Sequence, residues 1–462
     1  MVWDAAAKAN GVSFNDMLLK GTDLLVSLVE VLLRLREGKI AVCSDIREMF
    51  LRILIREEDK WSQCFLWRAS PEDEVQIFVI NVAMFGATSS PCTAQFVKNK
   101  NALDYAELYP KAVDAIVKNH YVDDFLSSVN SVEEAVQLVR QVQLIHAAGG
   151  FEFRKILSSS QEVLDLLGET GTSDSKSLNS RKERVYERVL GVVWVPRADH
   201  FTFDRTGLEG ILEGGMIPTK RQVLRTVMKL YDPVRFVAHF VVQGKILMQE
   251  IWRTGTNWDE PISESLHNLW SRWIEVYLTI SEVRVSRCFL GHLLPEEIDE
   301  IELHVFTDAS VASCACVAYL RMSYSGGGWC SLVAAKTKVA PLRALSIPRL
   351  ELEAAMMGSP FCRKFVRHLP STFEDTSCGR IQLQCSHGSA QTVIDITNSF
   401  LSGLEKFFRS PAWTNGAMCH RSSMLRTTPQ SGTRDPHLTQ KTVGTRDHRF
   451  YETQKSSGLG SQ

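Results

Sequence analysis

The sequence predicts an α+β protein, and three observations carry that prediction. Over roughly the first 160 residues, segments with apolar side chains at helical spacing alternate with short apolar runs of strand length. From Pro218 to about Leu278 the pattern is helix-rich, and at Glu302 a strand opens a further unit that reads as α/β. The chain has 462 residues, 44% of them hydrophobic, enough to bury cores in two or three domains, so a wholly disordered or fibrous protein is excluded.

Taken in order, residues 22–36 (TDLLVSLVEVLLRLR) stop at Glu37-Gly38 and predict an amphipathic helix behind a Thr or Asp cap. Lys39–Ser44 predicts a short buried strand ending at Asp45, with Ile46–Ile55 turning helical beyond it. Residues 75–84 form a second apolar run, Phe85–Pro91 a turn and Thr93–Leu103 a helix. Ala112–His120 and Phe125–Val129 flank Tyr121-Val-Asp-Asp124 and predict a hairpin with carboxylates at its tip. Ser131–Ala148 predicts a helix closed by Gly149-Gly150, and Phe151–Ile156 a strand. Residues 169–182 are polar and predict a surface loop; Arg188–Val195 and His200–Phe203 predict a hairpin interrupted at Pro196. Trp252, Trp258, Trp270 and Trp273 lie in the helix-rich stretch as packing anchors. Glu302–Asp308 predicts a strand ending in an acid, Cys314–Met322 its antiparallel partner, and glycines 326–328 the next turn. Beyond about residue 410 the chain is rich in Ser, Thr, Gly and Arg and predicts a disordered tail.

Lys plus Arg total 52 against 53 for Asp plus Glu, a net charge of −1, so any site for a polyanion must be local. The 11 cysteines are scattered, odd in number and without C-x-x-C spacing, which favours core thiols in a reducing compartment over disulfides or zinc. The longest apolar stretch, Leu24–Leu33, is broken by Glu30, so no signal peptide or membrane span is expected and the expected location is intracellular and cytoplasmic.

Asp45, Asp123 and Asp124 form the first candidate constellation. Phosphoryl transfer by two metal ions needs carboxylates a few ångströms apart, so that the ions bridge the attacking oxygen, the phosphate and the leaving group. One acid at a strand end and two at the tip of an adjacent hairpin supply that arrangement. The plain alternative is a solvated turn, since Asp is a common turn former. Placement after the strand, Asp45 and the FGATSSP turn weighs toward a site.

SDIREMF at 44–50, CFLWR at 64–68, FGATSSP at 85–91, YVDDF at 121–125 and GGFEFRK at 149–155 resemble the successive palm motifs of a retroelement reverse transcriptase. Their order and spacing resemble the BEL/Pao class of LTR retrotransposons. The segment 2–21 is similar to the one that precedes the palm in that class, and VLGVVW at 189–194 to its primer-grip hairpin. PTKRQVLRTVMKLYDP at 218–233, KILMQEIW at 245–252 and NWDEP at 257–261 resemble its connecting region, and the resemblance runs from residue 2 to about 365.

The resemblance implies truncated fingers and a reverse transcriptase palm over 1–160, a primer-grip hairpin and helical connection over 161–300, and an incomplete ribonuclease H-like domain over 301–400, before a polar tail over 401–462. It implies that Asp45, Asp123 and Asp124 hold two Mg²⁺ ions, and that the partners are an RNA template, a DNA primer and dNTPs. Phe85 and Gly86 would line the template and nucleotide pocket, Gln95 would lie on the helix beside it, Lys155 near the incoming triphosphate, and Tyr121 against the primer end. FTDAS at 306–310 and SIPRLELEAA at 346–355 are similar to the first strand and helix of the ribonuclease H domain, which implies Asp308 and Glu351 as a second catalytic, metal-binding pair with Glu353 exposed.

Four departures from the family pattern shape the expected activity. After Ile381–Gln384 the chain reads Cys385-Ser-His387-Gly388 with no Asp, and Asp395 is expected inside a following helix, so ribonuclease H activity is expected to be lost. The basic fingers strand that precedes the segment starting at Val2 in this class is expected to be missing, which leaves Lys155 and the metals to neutralise the triphosphate. Arg235 stands in YDPVRF where a glycine is expected, a strained position if that turn needs positive φ. The fourth ribonuclease acid has no counterpart before the tail. Two functional readings follow: an RNA-directed DNA polymerase region of a retrotransposon polyprotein, or a catalytically inactive remnant that at most binds nucleic acid or protein. A nuclease acting through the C-terminal domain alone is the weakest alternative.

Overall fold

A computed structural model gives the protein's structure and describes residues 4–169, 186–205, 217–367, 380–387 and 390–395, with side chains through residue 358. The expected polar loop at 170–182 and the expected tail lie outside the described residues. The small ribbon β1 (Lys8–Ala9) and β2 (Val12–Ser13) is followed by α1 (Leu28–Leu35). This helix is shorter than the periodicity predicts, because Asp23 Oδ1 accepts the Leu25 N–H at 3.1 Å and holds that stretch in a local turn instead.

The next elements are β3 (Ile40–Ile46), β4 (Cys64–Trp67), β5 (Gln76–Val79), α2 (Ser90–Leu103), α3 (Pro110–Lys118), β6 (His120–Tyr121), β7 (Asp124–Val129), α4 (Val132–Ala148), β8 (Phe153–Ser158) and α5 (Gln161–Leu167). Two expectations are corrected here. Ile46–Ile55 holds only a short 3-10 turn at Met49–Arg52, because Glu48 takes φ +52° and the chain then extends to bridge Leu54 with Val82. Ala112–Lys118 is helical, with Pro110 in the first turn and Ala112, Val113, Ala115 and Ile116 buried at helical spacing.

Strands β6, β7, β3 and β8 form one antiparallel sheet in that order. Its strands alternate between two cores. Val42, Phe125 and Ile156 face α2, α3 and α4 in one cluster, while Ala41, Cys43 and Leu126 join α1 in the largest cluster.

That largest cluster continues through β9 (Glu187–Val189), β10 (Val192–Val195), β11 (His200–Thr202), α6 (Lys220–Lys229), α7 (Ala238–Arg253), α8 (Glu264–Leu278) and β12 (Val285–Ser286). The single strand expected over 188–195 is split by a turn at Leu190-Gly191, both at positive φ. Trp270 and Trp273 are buried anchors, as expected. Trp252 and Trp258 are half-exposed instead and flank the buried Lys220 ammonium at 4.1 and 5.2 Å. Arg235 has φ +68°, so the glycine-like turn suspected from its sequence is present and carries a side chain.

The last region is β13 (Ile298–Ala309), β14 (Ser313–Tyr324), β15 (Gly327–Val339), α9 (Ile347–Arg367), β16 (Arg380–His387) and β17 (Ala390–Asp395). The sheet order is β15-β14-β13-β16-β17, with β16 parallel to β13 and every other neighbour antiparallel. Cys43, Cys288, Cys314 and Cys316 are buried free thiols, whereas Cys330 is exposed.

Two arginines with no exposed surface join these regions. Arg287 grips Asp199 with both nitrogens of its fork at 2.6 Å and donates to the carbonyls of Leu35, Gly38 and Lys39 at 2.6 to 2.8 Å. Arg36 donates to the carbonyls of Ser286, Arg287, Leu332 and Val333, with its guanidinium over Phe289 at 4.2 Å. Removing one partner of a buried charge pair leaves the other desolvated, at a typical cost of about 3–5 kcal/mol. Arg287→Met is therefore expected to lower the urea midpoint markedly, and an unchanged midpoint would refute this role.

Candidate active site

Sheet register brings the three N-terminal acids together. Asp45 on β3 is the direct cross-strand partner of Asp124 on β7, which puts their side chains on the same face of the sheet. Asp123 sits in the turn between β6 and β7, and its carbonyl accepts the Ile46 N–H at 3.0 Å. On the other side of β3, Arg154 of β8 is the Cα partner of Asp45, and its Nε donates to Asp45 Oδ2 at 2.9 Å.

The electrostatics follow from that crowding. Burial, reinforced by the charges of Asp123 and Asp45, pushes the Asp124 carboxyl up to about 6. Burial also raises Asp123, and Asp45 adds to the shift, while Arg154 opposes it. Arg154 is held above its ordinary value by its hydrogen bond to Asp45. Even so, among the described residues no three His, Cys, Asp or Glu side chains stand close enough to hold a metal ion. The acids sense one another without forming a ready cage.

The turn is strained and supported from below. Val122 has φ +59°, a left-handed conformation that is costly for a β-branched residue. Gln95, buried on α2, donates from Nε2 to the Val122 carbonyl at 3.0 Å. One turn further along α2, Lys98 is fully buried with its Nζ unpartnered, and burial lowers it to about 7. His120 and His146 lie beside it, 3.3 Å apart through their Nε2 atoms, and both are held below the usual histidine range by burial. The sequence reading missed this buried basic group. Its signal was Lys98 lying midway between Ala94 and Ala102 on one helical line that the structure buries.

The other expected site residues are dispersed along the same region. Lys155 is exposed at φ +59° and pairs with Glu187 at 3.9 Å. Phe85 is 57% exposed and meets Phe50 edge-on with centroids 4.8 Å apart. Gly86 has φ +89°, and its carbonyl accepts Asn15 Nδ2 at 3.0 Å. Tyr121 is half-buried against the largest core cluster.

In the C-terminal sheet, Asp308 is exposed near the end of β13, opposite Ala315, with Oδ1 accepting the Ala309 N–H at 2.8 Å. Glu351 is half-buried just beyond the first turn of α9, which packs on β13 and β14. Glu353 is not exposed as expected: it is half-buried and paired with Lys338 at 2.8 Å. Asp395 is also corrected, because the β-branched run Thr392-Val-Ile394 forms strand β17 rather than helix. Asp395 pairs with Gln382, which pairs with His304, so it lies four residues back along the sheet from Asp308, roughly 13 Å. Thr307 pairs with Cys385, so the strand that runs past Asp308 brings Ser386 and His387 to that end and no acid.

Residues 219–378 match the family model of the Pao retrotransposon-like RNaseH-like domain. Over that stretch, about a third of the chain, the protein is similar to the Pao retrotransposon family. Its mixed helix and sheet structure is similar to the foamy viral protease-reverse transcriptase dRH in complex with double-stranded DNA, at 14% identity and a TM-score of 0.47 over 79% of this chain and 53% of that one. It is also similar to the foamy viral protease-reverse transcriptase in complex with RNA/DNA hybrid, at 14% identity and a TM-score of 0.48 over 90% and 49%. The chain thus spans about half the length of these solved structures. No curated protein matches it. No helix among the described residues is long and apolar enough to cross a membrane.

The raised Asp124 carboxyl has a measurable consequence. Because the folded state holds this proton more tightly than the unfolded chain, its stabilising contribution is complete below about pH 4 and is lost as pH rises through about 6. Asp124→Asn is expected to raise the urea midpoint at pH 8 and to leave it near the parent value at pH 4. Equal shifts at both pH values would refute the raised Asp124 carboxyl.

Proposed function

We propose that the N-terminal region is the palm of an RNA-directed DNA polymerase from a retrotransposon polyprotein, extending a primer from dNTPs on an RNA template with Mg²⁺. The observation that carries this reading is the Asp45–Asp124 cross-strand pair with Asp123 in the adjoining turn. A sheet end where burial and the neighbouring acids raise Asp123 and Asp124 is destabilised by its own charge and would gain stability from a bound cation.

The carboxylates are the hard oxygen donors that Mg²⁺ takes. As they stand, however, no three of them converge and Arg154 holds Asp45, so this arrangement does not fit two ions without rearrangement. The chain's own contribution is positional: Gln95 fixes the strained turn, and Tyr121 presents a half-buried ring beside it. Lys155 is tethered only by a 3.9 Å pair with Glu187, which leaves its ammonium available to a triphosphate.

For the RNaseH-like domain a second, non-cleaving reading is favoured by one observation. Among the described residues β16 brings no carboxylate beside Asp308, because Asp395 lies at the far end of that strand. Loss of hard ligands weakens Mg²⁺ binding, and this domain is proposed to hold nucleic acid without cutting it.

Primer extension on an RNA template tests the polymerase reading, with Asp123→Asn as the control. Incorporation is expected from the parent chain and is expected to drop by at least ~100-fold in the variant, as for loss of a group that stabilises transition-state charge. Incorporation that survives the substitution, or is absent from the parent, removes the reading. For the second domain, an RNA strand paired with DNA is expected to remain intact. Cleavage that disappears in Asp308→Asn would overturn the non-cleaving assignment.

A further inference from the structure

Lys98 on α2, His120 on β6 and His146 on α4 meet in the core behind the acid-bearing turn, and none of the three has exposed surface. Hydrogen bonding fixes the protons of the histidine pair while both rings are neutral. His120 Nδ1 donates to the Ile116 carbonyl at 3.0 Å, because a carbonyl can only accept, so its Nε2 is bare. That bare nitrogen accepts from His146 Nε2 at 3.3 Å. His146 Nδ1 is then the one ring nitrogen of the pair with neither hydrogen nor partner. Lys98 Nζ also has no partner among the described residues.

The surroundings supply no counter-charge. His120 packs on Phe125 of β7 with centroids 4.9 Å apart, and His146 on Phe151 and on Phe153 of β8 at 5.9 and 4.8 Å. The charges that act on His120 are those of Lys98 and His146, and the charge that acts on His146 is that of Lys98, all of like sign. Asp114 on α3, Glu133 and Glu134 on α4, Asp124 on β7, Arg154 on β8 and Arg52 in the 3-10 turn are not among the groups that shift the cluster.

We propose that this cluster is an acid-triggered release for the seam between α2, α4 and β6: a proton taken from solvent onto His146 Nδ1 sets a second buried cation beside Lys98 and drives the seam open. This switch lies in the fold itself and needs no polymerase chemistry.

The sign is that of an acid switch. Burial lowers Lys98 to about 7 and His146 to about 3, and it holds His120 well below the usual histidine range. All three therefore take protons more readily when the seam is open than when it is closed. The closed state loses ground as pH falls from 10.5, the ordinary lysine value, to about 7, and loses more below 6.5, the ordinary histidine value. Opening reaches the turn through two links. Gln95, one helical turn before Lys98, holds the Val122 carbonyl, and His120 begins the strand that enters the turn. Asn101 Nδ2, which donates to the Ile145 carbonyl at 2.7 Å, is a polar tie between α2 and α4 that opening must break.

Amide hydrogen exchange of the full chain at pH 8 and pH 5, expressed as protection relative to an unstructured chain at the same pH, tests the switch. The Leu126 and Phe151 amides, which donate to the Asn119 and His146 carbonyls, report on the seam, and Met322 in β14 serves as the remote control. From pH 8 to pH 5 the protection of the two seam amides is expected to fall by about tenfold more than that of Met322. His146→Gln, which cannot take the proton, and Lys98→Met, which removes the neighbouring charge, are each expected to shrink that fall by about threefold. A parent fall no larger at the seam than at Met322 overturns the switch. A fall of the parent's size in either variant also overturns it. The two variants remove different members of the cluster, so if one fails to fold the other remains the test.

Discussion

The buried fork of Arg287 is the interaction on which the remaining geometry depends. Its five hydrogen bonds reach Asp199 and the carbonyls at the end of α1 and the start of β3. Those carbonyls belong to a helix end and a tight connection, groups that would otherwise be buried without donors. Arg36 does the reciprocal work from that connection outward, donating to β12 and β15. A lysine could satisfy neither role, since only the planar guanidinium offers several donors in a fixed fork. The consequence for function is one of placement. The strand that ends in Asp45 begins within this network, so the acid is positioned by contacts drawn from segments about 250 residues away in sequence.

Placement of this rigidity allows strain to be held at the other end of the sheet. Val122 at positive φ and the half-buried carboxyls of Asp123 and Asp124, raised by burial and by neighbouring acids, are each unfavourable alone. They persist because β3 is pinned at its start, α2 supplies the Gln95 donor to the turn, and Arg154 supplies the missing positive charge. The buried Lys98 fits the same region differently. It adds a cost that the surrounding apolar and aromatic packing of Phe125, Phe151 and Phe153 around the two histidines must offset.

What the sequence made legible follows from the range of the forces involved. Helices α2 and α4 were readable because local caps and periodic burial agree: Pro91 opens one, and Ser131 accepts the Glu134 N–H at the start of the other. Asp45, Asp123 and Asp124 were readable because each sits at an element boundary that the motif order marks. Ile46–Ile55 was misread because an apolar run of that length suits helix or extended chain equally, and a bridge to Val82 decides it. Arg154 and the two clamp arginines stayed hidden for a related reason. Their roles depend on cross-strand register, a bulge and contacts over long sequence separations, and no local pattern encodes those.

The two sheets also differ in what their acids are given to work with. In the first, every carboxylate at the sheet end has a close charged neighbour, and those charges add to burial in raising Asp123 and Asp124. In the second, Asp308 caps its own strand, and the strand running parallel to it delivers Cys385, Ser386 and His387 to that end. Among the described residues β16 brings no carboxylate beside Asp308, and Asp395 does not take that place, because its partner Gln382 lies level with His304. The hairpin that carries Asp395 turns it back along the sheet, and each residue of that return moves it roughly 3.3 Å further from Asp308. Strand direction therefore separates the two sheets: the β6–β7 turn brings Asp123 and Asp124 to Asp45, and the antiparallel run of β17 carries Asp395 away from Asp308.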